Sequence, residues 1–122
     1  MAVAINSYRD IFVWQQAMEL VTAIYKLTET WPKEEIYGLT SQVRRAAVSV
    51  PVNIAEGYGR DTRGAYQQFL RIAQGSLKEM ETHLLIAERL GFIRSDKTEP
   101  IMAMSASVGK LLRLLIRKLS ET

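Results

Sequence analysis

An all-α, up-down-up-down four-helix bundle is the fold this sequence predicts, on three observations. Apolar residues recur at intervals of three and four along four separate stretches of the chain. No stretch alternates with the period of two that a half-buried strand needs. The segments between the stretches are short and hold glycine, proline and small polar residues, so successive helices run antiparallel. With 122 residues, 48% of them apolar, the chain suffices for one core and not for two.

Residues 1–9 are expected to form a flexible arm, and residues 10–122 a single bundle domain. The first helix starts after Asp10, a residue suited to an N-cap, and carries a stripe of Ile11, Trp14, Met18, Val21 and Tyr25, widened by Ala17, Leu20, Ile24 and Leu27. It ends near Thr28 to Thr30, because Trp31-Pro32 disfavours helical backbone. Pro32 to Tyr37 has room for one short turn, and Gly38 breaks it.

The second helix is predicted from Leu39 or Thr40 to Glu56, with Val43, Ala46, Ala47, Val50 and Ile54 facing inward. Pro51 deprives the carbonyl of Ala47 of its usual partner, and Gly57 is placed to end the helix in a left-handed conformation. Asp61 or Thr62 caps the third helix, whose seam is Tyr66, Leu70, Ala73, Leu77, Met80, Leu84 and Ala87, with Phe69, Ile72, Ile86 and Leu90 as a second apolar edge. Gly91 ends it. A loop to about Thr98 leads to the fourth helix, with Pro100 in its first turn and a seam of Ile101, Met104, Val108, Leu111, Leu115 and Leu119, broadened by Leu112, Leu114 and Ile116. The extra apolar width of the last two helices fits either self-association or a wide internal core.

Composition narrows the chemistry. Cysteine is absent, which removes disulfides and thiolates and is compatible with a reducing, cytoplasmic setting. The opening residues lack a basic start and a signal-peptide core, and no apolar run reaches the length of a membrane span. The single histidine, His83, follows Glu79 by four residues; the interval differs from the Glu-x-x-His of di-iron bundles, and there is no second copy. Gly57, Gly59 and Gly64 match no phosphate-binding loop. No catalytic residue, metal site or cofactor is predicted, and the protein is not expected to be an enzyme.

Two sets of polar residues stand out. Gln42, Arg45, Ser49, Asn53 and Glu56 share one face of the second helix, while Gly75, Ser76 and Glu79 lie on the third. Antiparallel pairing puts Ser49 near Ser76 to Glu79, and Asn53 and Glu56 near Arg71 or Gln74, so Ser49, Asn53, Glu56, Gly75, Ser76 and Glu79 are predicted to form a polar network that fixes register between the helices, with Gly75-Ser76 permitting close approach; a ligand pocket is the alternative. The net charge is +3, and residues 41–75 carry five basic and two acidic groups. Arg44, Arg45, Arg60, Arg63 and Arg71, with Tyr58 and Tyr66 among them, and Lys110, Arg113 and Arg117 on the last helix, suit phosphates and unstacked bases. A solvated charged face is the alternative for the last helix.

Gln42-x-Arg44-Arg45-Ala-x-x-Ser49, Asn53-Ile-Ala-Glu-Gly57, Phe69-Leu-x-x-Ala-x-Gly75-Ser76-x-x-Glu79 and Leu90-Gly91-Phe92 together resemble one family. It is the bacterial four-helix-bundle family first recognised in reading frames within intervening sequences of 23S ribosomal RNA genes. Phe12-x-Trp14, Ala17-Met18-x-Leu20 and Pro32-Lys-Glu-Glu-x-Tyr-Gly38-Leu39 extend the resemblance over about residues 8 to 93. The resemblance implies a ring-shaped homopentamer. It also implies a distant relation to the accessory protein of diversity-generating retroelements, which associates with a reverse transcriptase and binds nucleic acid. The expected partners are therefore further copies of the chain, RNA or DNA, and a protein such as a reverse transcriptase, with no membrane.

Overall fold

The computed structural model describes residues 4–121. Four long helices make up the bundle: α1 (Phe12–Thr28), α2 (Leu39–Tyr58), α3 (Arg63–Arg89) and α4 (Ser95–Ser120). No strand occurs among the described residues. Each helix packs against its neighbours in the chain and α1 closes on α4, while the diagonal pairs α1–α3 and α2–α4 do not meet. The result is the square, antiparallel arrangement expected of short connections.

Local chemistry sets the ends. Residues 1–3 of the expected arm lie outside the described residues. Further along it, Tyr8–Asp10 forms a 3₁₀ turn in a capping box: Ser7 Oγ accepts from Arg9 N, and the Asp10 carboxylate accepts from Ser7 N and Asn6 N. Asp10 thus serves the turn before α1, and Ile11 stands at the N-cap of α1 without a side-chain bond. Tyr8 packs edge-on against Trp14, with ring centroids 5.3 Å apart. After α1, Lys33–Glu35 makes the short turn behind Pro32, and Glu35 Oε1 accepts from Leu39 N across Gly38. Thr62 caps α3 through Ala65 N.

Gly91, at φ +77°, closes α3. Phe92 N donates to the Ala87 carbonyl and Gly91 N to that of Glu88, the paired bonds of a Schellman ending. Phe92 then reaches Trp31 at 6.1 Å between centroids, fastening this end to the α1–α2 connection. Thr98, fully buried, donates to Glu88 at 2.5 Å. Because α4 begins already at Ser95, Pro100 lies in its second turn rather than its first. It stands exposed there, where water reaches the Asp96 carbonyl that lacks its usual partner.

The core follows the predicted seams on α2 and α3, with Val43, Val50, Ile54, Leu70, Met80 and Leu84 completely buried. On α1 the inward face is turned from the expected stripe. Val13, Ala17, Leu20 and Ile24 face the core, while Met18 and Tyr25 are exposed and Trp14 and Val21 half-buried. On α4, Leu112 is buried outright where Leu111 and Leu115 were expected to lead. The second apolar edge of α3 does not widen the core, since Ile72, Ile86 and Leu90 are exposed.

Two glycines exchange the roles expected of them. Gly57 does not end α2; it is helical and buried, and the helix continues to Tyr58. A Cβ there would lie 2.9 Å from Phe69 Cβ and 3.2 Å from the Tyr66 carbonyl oxygen, so only glycine lets α2 and α3 meet. Gly75 was expected to supply that close approach, yet a Cβ there would meet nothing within 4 Å. Gly57→Ala should therefore destabilise the fold by about 1–3 kcal/mol, the usual cost of overpacking. Gly75→Ala should stabilise it by roughly 0.5–1 kcal/mol through helix propensity. Chemical denaturation of the two variants checks the pair, and equal effects would refute this assignment of roles.

Candidate nucleic-acid interface

The two flanks of α3 have different chemistry. Toward α2 lies the polar contact anticipated from the sequence, in reduced form. Ser49 Oγ and Ser76 Oγ are 2.8 Å apart, and Asn53 Nδ2 donates to Ser49 Oγ at 2.9 Å and to the Ser49 carbonyl at 2.8 Å. The structure joins Ser49, Asn53 and Ser76 in one network and leaves Glu56, Gly75 and Glu79 outside it. Glu56 is exposed, and Glu79 lies in a shallow recess with Gln42 and Arg45 without pairing to either. The network serves the Ser49 carbonyl, not that of Ala47 freed by Pro51. His83 is largely buried; its Nε2 approaches Glu79 Oε2 at 3.5 Å but makes no hydrogen bond.

Toward α4, α3 presents Gln67, Arg71, Gln74, Lys78 and Glu81, spaced by four, three, four and three residues so that they share one face. Two ties hold this flank to α4. Gln67 Nε2 donates to the Ile116 carbonyl at 3.0 Å and to Ser120 Oγ at 2.7 Å, and Ser105 Oγ, fully buried, donates to Glu81 Oε2 at 2.6 Å. Between the ties a cleft of about 520 Å³ opens, lined by Arg71, Gln74, Gly75, Lys78, Gly109 and Arg113 among others. Its one carboxylate, Glu81, is engaged by Ser105 and by Lys78 at 3.4 Å. Arg71 and Arg113 have no ion-pair partner among the described residues.

The remaining arginines are dispersed. Arg44 is half-buried and engaged against α1, its Nε donating to Thr28 Oγ1 at 2.8 Å and its guanidinium stacked 4.6 Å from the Tyr25 ring. Arg60 lies over Phe69 at 4.6 Å, and Arg63 Nη1 donates to the Glu121 carbonyl at 3.1 Å, both near the turn between α2 and α3. Arg45 is exposed at the recess between α2 and α3, beside Ser49 and Glu79. Lys110 and Arg117 are exposed on α4, at helical spacing from Arg113 and so on the cleft side. Tyr58 and Tyr66 pack edge-on against each other at 6.2 Å, both half-buried, and so do not offer open faces for bases. Burial, and secondarily the neighbouring Tyr58, raises the Tyr66 hydroxyl above its ordinary pKa.

What the cleft offers chemically is guanidinium donors that carry no ion pair among the described residues. Among the described residues no three His, Cys, Asp or Glu side chains gather as a metal site, and no helix is long and apolar enough to cross a membrane. Sequence reasoning found Arg71 and Arg113 but not the cleft between them. Gly109, which borders the cleft, gave no signal of it, since a Cβ there would make only ordinary contacts, 3.8 Å from Arg113 Nη1 and 3.7 Å from Leu77 Cδ1.

Fold and surface thus describe a small helical bundle with a basic seam. Residues 9–114 match the family described as 23S rRNA-intervening sequence protein, and the chain belongs to that family. A solved structure, a protein of unknown function from the S23 ribosomal protein family of Bacteroides thetaiotaomicron, matches with a TM-score of 0.77 and 25% identity, over 86% of this chain and 98% of that one. No curated protein matches the chain. Neither match indicates an enzymatic family.

Ser49→Ala should cost about 1–2 kcal/mol, because the buried Ser76 hydroxyl loses its partner. Glu56→Ala should stay within about 0.5 kcal/mol, as for other exposed sites. Thermal melting compares them, and a larger loss for Glu56→Ala would contradict the network drawn above.

Proposed function

We propose that the protein is a non-enzymatic, oligomeric bundle that associates with nucleic acid, RNA in preference to DNA, along the seam between α3 and α4. One observation supports this most. Residues 63–78 carry Arg63, Arg71 and Lys78, residues 106–118 carry Lys110, Arg113, Arg117 and Lys118, and neither segment holds a single Asp or Glu. The ties from Gln67 and Arg63 to the end of α4 bring these two segments side by side. A solvated face usually mixes its signs; here the one carboxylate that lines the cleft, Glu81, is engaged by Ser105 and Lys78, and the remaining cations concentrate counterions that a polyanion displaces. The family description, tied to interruptions of 23S rRNA, favours RNA. Arg60 and Arg63 extend the surface past the turn, whereas Arg44 and Arg45 belong to other faces.

Self-association draws on a second surface. A groove between α1 and α2, lined by Tyr8, Trp14, Met18, Val21, Val48, Pro51, Val52 and Ala55, is almost wholly apolar. Ile72, Ile86 and Leu90 are exposed on α3, a different part of the surface. An apolar groove and a separate apolar ridge suit a head-to-tail contact, the kind that closes into a ring. The resemblance to the family supplies the number five. The same groove favours the alternative reading, a scaffold that seats a protein partner such as a reverse transcriptase.

Gel-shift titration against structured RNA should show binding whose logarithm falls linearly with the logarithm of salt. Replacing Lys110 and Arg117 together by alanine should reduce that slope by about 1.5–2, the share of two phosphate contacts, without lowering the melting temperature. Undetectable binding at low salt would overturn the proposal. Co-purification of a protein with no nucleic acid would favour the scaffold.

A further inference from the structure

Resting on the reading just given, we propose that the cleft between α3 and α4 is a subsite for one unstacked nucleotide of a single-stranded chain, its phosphate held by Arg71 and Arg113. The cleft's volume of about 520 Å³ falls in the range of sites that enclose small ligands, and it is a recess rather than a flat patch. Its width is fixed on both sides, by Gln67 against Ile116 and Ser120, and by Glu81 against Ser105. A preformed recess does not have to be opened by its ligand.

The lining suits a nucleotide. Arg71 and Arg113 present planar forks of donors, matched to phosphate oxygens, and neither is spent on a carboxylate. Arg113 Nη1 lies beside Gly109, 3.8 Å from where a Cβ would stand, which keeps the guanidinium at the cleft. Gly75 leaves the α3 side of the recess empty. Ala106, exposed at the cleft, supplies apolar surface for a base, and Gln74, which makes no side-chain hydrogen bond among the described residues, supplies an amide for its edge.

This geometry separates single strands from duplexes. A basic seam alone favours the duplex, which carries a charge for every ~1.7 Å of its axis. A recess reverses that order, because a duplex base must first leave its stack, at a cost of a few kcal/mol, whereas a single strand offers its bases unstacked. Preference for single strands is therefore the signature of the cleft and not of the charge.

Fluorescence anisotropy with a labelled 12-nucleotide RNA, alone and annealed to its complement, tests the proposal on the full chain. The expected result is single-strand binding about tenfold tighter than duplex binding, the equivalent of avoiding part of one base-flipping cost. Gly75→Leu, which fills the recess and keeps every cation, should bring the two affinities together without lowering the melting temperature. Should that variant melt early, Arg113→Lys takes its place, keeping the charge and losing the fork; it should weaken single-strand binding severalfold more than duplex binding, and so narrow the preference. Equal affinities in the parent protein, or a preference that survives both variants, would overturn the subsite while the basic seam stands. Binding of neither RNA would overturn the seam as well.

Discussion

The structure depends on the contact between α2 and α3 at Gly57. With 2.9 Å between a notional Cβ and Phe69 Cβ, the two helices meet as closely as main chains permit. The close approach brings Ser49 within hydrogen-bond distance of Ser76 and sets Val50 and Ile54 against the seam of α3. Everything else is arranged around this hairpin. α1 lies on α2, α4 lies on α3, and Thr98, Glu88, Phe92 and Trp31 lock the opposite end.

Because one flank of α3 is committed to α2, its other flank is free to differ. At its centre the α2 side carries short side chains, Ser49, Asn53 and Ser76, that satisfy one another. The α4 side carries long, charged ones that have few partners within the molecule. The polar residues that break helix rules in the sequence thus divide by flank. Ser49, Asn53 and Ser76 set register, while Gly75 belongs to the cleft on the other side.

Much of this was legible beforehand. The number of helices, the seams of α2 and α3, the Thr62 cap and the Gly91 ending follow from periodicity and from the chemistry of caps. The face of α1 was misjudged because its large residues, Trp14, Met18 and Tyr25, line one side while the core took the smaller Ala17 and Val13 beside Leu20 and Ile24. Size suggested burial, but the close packing of α1 on its neighbours rewarded fit. Gly57 and Gly75 were exchanged for a related reason, since spacing gives the face of a glycine and not what stands opposite it. The absence of carboxylates from residues 63–78 and 106–118 was open to view, yet it gains meaning only once the fold lays the segments together.

The central claim is that nucleic acid meets the seam of α3 and α4 and leaves the arginines of α2 alone. Nitrogen-15 spectra of the arginine Nε–Hε groups, recorded while single-stranded RNA is added, test it residue by residue. The account predicts shifts at Arg71, Arg113 and Arg117 and none at Arg44, which is held by Thr28 and Tyr25. Shifts at Arg45 and Arg44 with Arg71 and Arg113 unmoved would contradict it.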